Sequence, residues 1–202
     1  MKERRGLLLA FEGLDQSGKK TLSCRLERRL CSLNILTQRI AFPDYTTPIG
    51  REIQQYLAGH RDFPPETRQL LFAANRWERK HEIDHWLTTG MVVIADRYTG
   101  SGLAYGMAHG LNFEWLQNLE MGLPKADRTF LIDIKVEASF ARKTERRDLY
   151  ETQTGLLVRV RQAYLDLASL FNWIVLDGSK TLDALSQEVF DIVDDCLLAR
   201  FH

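Results

Sequence analysis

The chain has 202 residues, 45% of them hydrophobic, and its 27 basic and 27 acidic side chains cancel. A length of this order gives one well-buried domain rather than two, so a single domain over residues 1–202 is expected. A chain without net charge has no overall field to concentrate it on nucleic acid or an anionic membrane, which leaves a small, locally recognised ligand as the expected partner.

The start, MKERRGLLLAFEG, carries only five consecutive apolar residues before Glu12, too few for a signal peptide or a membrane span. The short apolar run Leu7–Phe11 predicts a strand buried on both faces of a parallel sheet. Next comes Gly13-Leu14-Asp15-Gln16-Ser17-Gly18-Lys19-Lys20-Thr21, followed by a charged helix with Cys24, Leu26, Leu30 and Leu33 spaced along it. Further strands are predicted at Ile35–Ala41, Met91–Ala95, Thr129–Ile134 and Trp173–Leu176. Thr47-Pro48 reads as an N-cap with proline at the first helical position, and Gly59 as that helix's stop. One long helix is expected over Pro64–Leu87, ended by Gly90. At the C-terminal end Leu182, Leu185, Val189, Ile192, Val193, Cys196 and Leu197 share one helical face. Five strands alternating with helices predict an α/β fold with a five-stranded parallel sheet flanked by helices. Cys24, Cys31 and Cys196 match no metal spacing and fall on apolar helical positions, which reads as reduced core thiols of an intracellular protein.

The segment after the first strand satisfies G-x-x-x-x-G-K-[ST], the phosphate-binding loop, at each demanding position but the last. Strand, glycine-rich turn and helix start point free N–H groups at an anion, so Gly13, Gln16, Ser17, Gly18, Lys19, Lys20 and Thr21 are candidate ATP-binding residues. Gln16 and Ser17 are expected to act through their backbone N–H groups. Lys19 is the lysine that reaches the β and γ phosphates. Lys20 stands where a hydroxyl residue ordinarily holds Mg²⁺.

Asp96 and Arg97 end the third predicted strand, where open parallel sheets bind their ligands. There the carboxylate is a candidate for organising Mg²⁺ and the guanidinium for clamping a phosphate. Phe72 and Arg76 are four apart on one helical face, a flat ring beside a forked donor. A planar base fits that pair, although spacing alone is better served by a core phenylalanine beside a surface arginine. Arg142, Lys143, Arg146 and Arg147 form a basic cluster before Tyr150. It reads either as a solvated face or as a lid, near residues 142–150, whose cations cover charge on a transferring phosphoryl group.

The blocks FEGLDQSGKKT, FPDYTTPIGREI, LLFAANRWE, DRYTGSGLAY, GLPKAD and LYE, in that order from Phe11 to Glu151, resemble thymidylate kinases of the eukaryotic and poxvirus type. The resemblance implies a P-loop nucleoside monophosphate kinase fold and Mg²⁺-dependent transfer of the ATP γ-phosphoryl group to dTMP. It implies Lys19, Asp96, Arg97, Arg146 and Arg147 as catalytic residues and Asp96 as the metal-side carboxylate. Asp15 would hold the 3′-hydroxyl, Phe72 would stack on thymine, Arg76 would donate to a thymine carbonyl and Arg97 would grip the acceptor phosphate. Phe42, Tyr45, Tyr105 and a Ser101-Gly102 turn would line the acceptor pocket, Tyr150 would crowd a 2′-hydroxyl, and Arg142 would lie against adenine. A cytoplasmic homodimer with no nucleic-acid or membrane partner goes with that family.

Three departures set this chain apart: Lys20 at the Mg²⁺-hydroxyl position, Tyr45 where the family has an arginine on the acceptor phosphate, and Gln16 where many members are basic. They keep a slow kinase, a non-catalytic nucleotide-binding protein and a kinase for another deoxypyrimidine monophosphate all in view. A regulatory GTPase is disfavoured, because no N-K-x-D sequence is present to read guanine.

Overall fold

A computed structural model describes residues 5–141 and 154–201. Five strands, β1 (Leu7–Glu12), β2 (Thr37–Ala41), β3 (Val92–Asp96), β4 (Arg128–Asp133) and β5 (Ile174–Asp177), form one sheet in the order β2-β3-β1-β4-β5. Every pairing is parallel, with Leu9 opposite Ile94 on one side and Arg128 on the other. The helices are α1 (Lys19–Ser32), α2 (Pro48–Leu57), α3 (Pro65–Glu78), α4 (Lys80–Thr88), α5 (Thr99–Ala108), α6 (Phe113–Glu120), α7 (Val136–Ala141), α8 (Thr154–Phe171) and α9 (Leu182–Phe201).

Alternate residues of a strand face opposite sides, and both sides of β1 are covered. Leu7, Leu9 and Phe11 pack with Leu22, Leu26 and Leu30 of α1 and with Val189 and Val193 of α9. Leu8 and Ala10 pack on the other side with Ile83 and Leu87 of α4. This double cover is why the β1 sequence is an unbroken apolar run. Each such leucine or phenylalanine, removed fully from water, is worth about 1.5–3 kcal/mol before entropy is counted.

The strand predictions hold with ends shifted by one or two residues. Thr47 caps α2, its hydroxyl accepting from the Gly50 N–H at 3.0 Å, and Gly59 sits just past the end of α2 at φ 81°. The expected helix over Pro64–Leu87 is two helices, broken at Arg79. There the Arg79 N–H turns to the Arg76 carbonyl at 3.1 Å, and its guanidinium is drawn to Asp44, Thr46 and Glu82. The break is made by tertiary bonds, without glycine or proline. Ser101 and Gly102, expected in a turn, lie inside α5. The cysteines are free thiols, but Cys31 is exposed, because the buried stripe of α1 runs through Leu22, Leu26 and Leu30 and turns position 31 outward. Cys24 and Cys196 are half-buried at the edge of the core. Among the described residues no helix is long and apolar enough to cross a membrane.

Candidate active site

The loop between β1 and α1 is fixed by two glycines. Gly13 has φ 138°, and a Cβ there would lie 2.5 Å from the Ile132 carbonyl oxygen; Gly18, at φ 103°, caps α1. Gln16 also adopts positive φ, 61°. Lys19 is buried, and its ammonium donates to the Leu14 carbonyl at 2.6 Å and to the Ser17 hydroxyl at 3.4 Å. Burial depresses its pKa from 10.5 to about 8, with Arg97 pushing the same way and Asp15 and Asp96 opposing. Lys20 and Thr21 are exposed on α1 and line a cleft of about 650 Å³ with Asp15, Ser17, Lys19, Asp96 and Arg97. That volume is of the size ordinary ligand clefts have.

Arg97 follows β3 at φ 65°, a left-handed conformation held by its own N–H on the Phe11 carbonyl and by the Tyr98 N–H on Glu12. Its guanidinium forms an ion pair with Asp15 and donates to Gly13 O at 3.0 Å, Ser101 Oγ at 3.2 Å and the Tyr164 hydroxyl at 3.2 Å. Beneath it lies Glu12, fully buried. Its carboxylate accepts from the Tyr98 N–H at 2.9 Å, the Ser101 N–H at 3.1 Å, the Ser101 hydroxyl at 2.6 Å and the Tyr164 hydroxyl at 3.3 Å. Burial raises the Glu12 pKa, while Ser101 and Arg97 pull against that rise. Burial likewise raises the pKa of Tyr164, aided by Glu12, so its hydroxyl stays a donor. A buried carboxylate, two hydroxyls and a guanidinium thus form one network under the loop.

The second pocket is walled by α3 and α5. Phe72 and Arg76 line it from α3, Ser101, Gly102 and Tyr105 from α5, and Phe42, Pro43 and Tyr45 from the turn after β2, where the Phe42-Pro43 peptide is cis. Arg76 is buried rather than on the surface and is paired with Glu120 of α6, one arm of the pair being Nε to Oε2 at 2.9 Å. Asn75, one residue earlier, lines the same pocket and ties α3 to the turn. Its carbonyl accepts from the Asp44 N–H at 2.8 Å, and its amide donates to Asp44 O, Thr47 Oγ1 and Glu78.

The predicted site residues within the described chain therefore gather at the carboxyl ends of β1 and β3, the location open parallel sheets use. Arg142, Arg146, Arg147 and Tyr150 lie outside the described residues. Sequence reasoning missed Glu12, Glu120, Asn75 and Tyr164. Glu12 alone left a trace, as an acidic residue ending a fully apolar strand.

A β1-loop-α1 phosphate cradle beside an apolar pocket with its own arginines, on this sheet order, defines a P-loop nucleoside monophosphate kinase fold. The thymidylate kinase family profile matches residues 11–189. The thymidylate kinase of Dictyostelium discoideum is 34% identical over 192 residues, covering 95% of this chain and 86% of that protein. The human thymidylate kinase is 30% identical, covering 98% and 94%. A solved structure of the Candida albicans thymidylate kinase superposes with a TM-score of 0.85 at 32% identity, covering 95% and 92%. The chain belongs to the thymidylate kinase family.

Proposed function

We propose that the protein transfers the γ-phosphoryl group of ATP to dTMP, giving ADP and dTDP. The observation that carries this reading is a shared wall: Asp15, Phe42, Pro43, Tyr45 and Arg97 line both the phosphate-loop cleft and the apolar pocket. A triphosphate cradled by the loop and a monophosphate nucleotide in the pocket therefore meet at Arg97.

In that arrangement the N–H groups at the start of α1 and the Lys19 ammonium take the β and γ phosphates, which offer stronger acceptors than the Leu14 carbonyl. Arg97 clamps the acceptor phosphate with its planar fork, steadied from below by Ser101, Tyr164 and Glu12. Asp15 meets the 3′-hydroxyl, Phe72 stacks on the base and Arg76, held by Glu120, donates to a base carbonyl. An acceptor phosphate oxygen attacks the γ phosphorus in line, a new P–O bond forms, and the bond to the β-bridging oxygen breaks so that its electron pair leaves with ADP. Positioning and charge cover carry most of the rate in such transfers.

Among the described residues no group of three or more acidic, histidine or cysteine side chains gathers, so they offer no all-protein metal cage. Asp96, half-buried on the cleft wall, fits an ion that keeps waters and takes phosphate oxygens as its main ligands, as Mg²⁺ does. An Mg²⁺ ion held there would supply charge neutralisation for the transferring phosphoryl group.

The test is ADP release with dTMP, dUMP, dCMP, dGMP and UMP, each with and without Mg²⁺. The expected order puts dTMP first and UMP far behind. Turnover of UMP equal to that of dTMP removes the thymidylate assignment, and ADP release with none of them removes the kinase reading.

A further inference from the structure

Nearly all buried polar side chains of the described residues have hydrogen-bond partners. Glu12, Lys19, Asn75 and Arg76 do, and so do the buried serines and Thr47. Gln69 is the exception: it is 3% exposed, and among the described residues its amide makes no hydrogen bond. Its amide atoms are not among the fully enclosed unpartnered ones of the described residues, so they open onto the pocket that the residue lines.

Its position says where the missing partner belongs. Gln69, Phe72 and Arg76 are spaced three and four apart on α3, so they share one face, and all three line the apolar pocket. Leu57, Phe42 and Phe72 contribute apolar surface to the same pocket. Arg76, fixed by Glu120, presents donors only. The Gln69 amide presents a donor and an acceptor side by side, and rotation about its last bond exchanges them. A nucleobase edge, with N–H and C=O groups adjacent, is the ligand chemistry that satisfies such a pair inside an apolar slot.

We infer that Gln69 is a specificity-determining residue of the acceptor pocket, its amide hydrogen-bonding the polar edge of the base. The inference rests on the acceptor-nucleotide reading above.

The test separates the base from the rest of the nucleotide. Wild type and Gln69→Leu are compared by calorimetric binding of dTMP, of ATP and of 2-deoxyribose 5-phosphate, which lacks the base, and by thermal melting without ligand. The expected result is dTMP binding weaker by roughly 2- to 10-fold, the net worth of one hydrogen bond. ATP and the base-free sugar phosphate bind both proteins alike, and the two melt within about 2 °C of each other, which shows that the variant folds. Unchanged or tighter dTMP binding overturns the inference, and so does an equal loss for the base-free compound, which would place the effect in the pocket's shape. Should wild type ignore dTMP but take another nucleoside monophosphate, the functional reading fails while the same comparison with that nucleotide decides Gln69. Binding of no monophosphate sinks both.

Discussion

Arg76 and Glu120 form a two-armed ion pair across 44 residues of chain, and their side chains retain 3% and 10% of their exposure. A pair this buried is fragile to the loss of either member, because the survivor becomes an unpaired buried charge. Gly102 makes room for it: a Cβ there would lie 2.6 Å from Arg76 Nη2 and 2.7 Å from Glu120 Oε1.

Gly102→Ala should therefore displace the guanidinium without removing any charge. A lost charge-assisted contact to the base is worth roughly 10- to 150-fold. The expected outcome is a rise of that order in KM for dTMP, with KM for ATP unchanged. Steady-state kinetics with each substrate varied in turn checks it, and a parallel rise in both constants would place the damage elsewhere.

Lys19 sets the response to alkali. Unfolded, the lysine titrates near 10.5; buried in the folded protein, it titrates near 8. Between those values the unfolded chain holds more protons, so this group's contribution to stability improves as pH rises from about 8 to 10.5. Phosphate binding runs the other way, because it needs the ammonium. ATP binding at pH 8.5 should take up a fraction of a proton and weaken as pH climbs, both absent in Lys19→Met. Calorimetry in buffers of different ionisation enthalpy measures the uptake; none in wild type would mean that the lysine is already fully charged.

The position after Lys19 holds the third expectation. Lys20 projects from the first turn of α1 into the phosphate cleft, where a bound divalent cation would meet repulsion twice that between unit charges. Its exposure lets it swing away, which keeps the penalty small. Lys20→Thr should lower the Mg²⁺ needed for half-maximal ATP binding and for half-maximal ADP release by roughly 2- to 5-fold, the scale of exposed charge interactions. Metal titrations of both properties that overlay wild type would clear Lys20 of any part in metal use.

The phosphate loop, the five strands and the capping Thr47 were legible because each signal is local, a handful of adjacent residues that determine their own backbone. Glu12 and Tyr164 meet across 152 positions and Arg76 and Glu120 across 44, so nothing in either neighbourhood announces the partner. The same holds for the break at Arg79, where good helix formers run on and the guanidinium is drawn to the distant Asp44 and Thr46. Gln69 illustrates the reverse case. Its type and spacing are ordinary, and only the list of partners it lacks draws notice, which no linear reading provides.

The amide of Asn75 fastens α3 to the turn that carries Tyr45, while the same helix presents Gln69, Phe72 and Arg76 to the pocket. Asn75 lines that pocket too, one turn on from Phe72, but its amide is spent on Asp44, Thr47 and Glu78, so the duties are divided by bonding and not by face. Asn75 acts as a locating pin and its neighbours as an exchangeable jaw. With the base seated as proposed, drift along the jaw alters which base is welcomed while the Asn75 bonds keep the turn in place, so descendants of this chain can change diet without rebuilding the machine that moves the phosphoryl group.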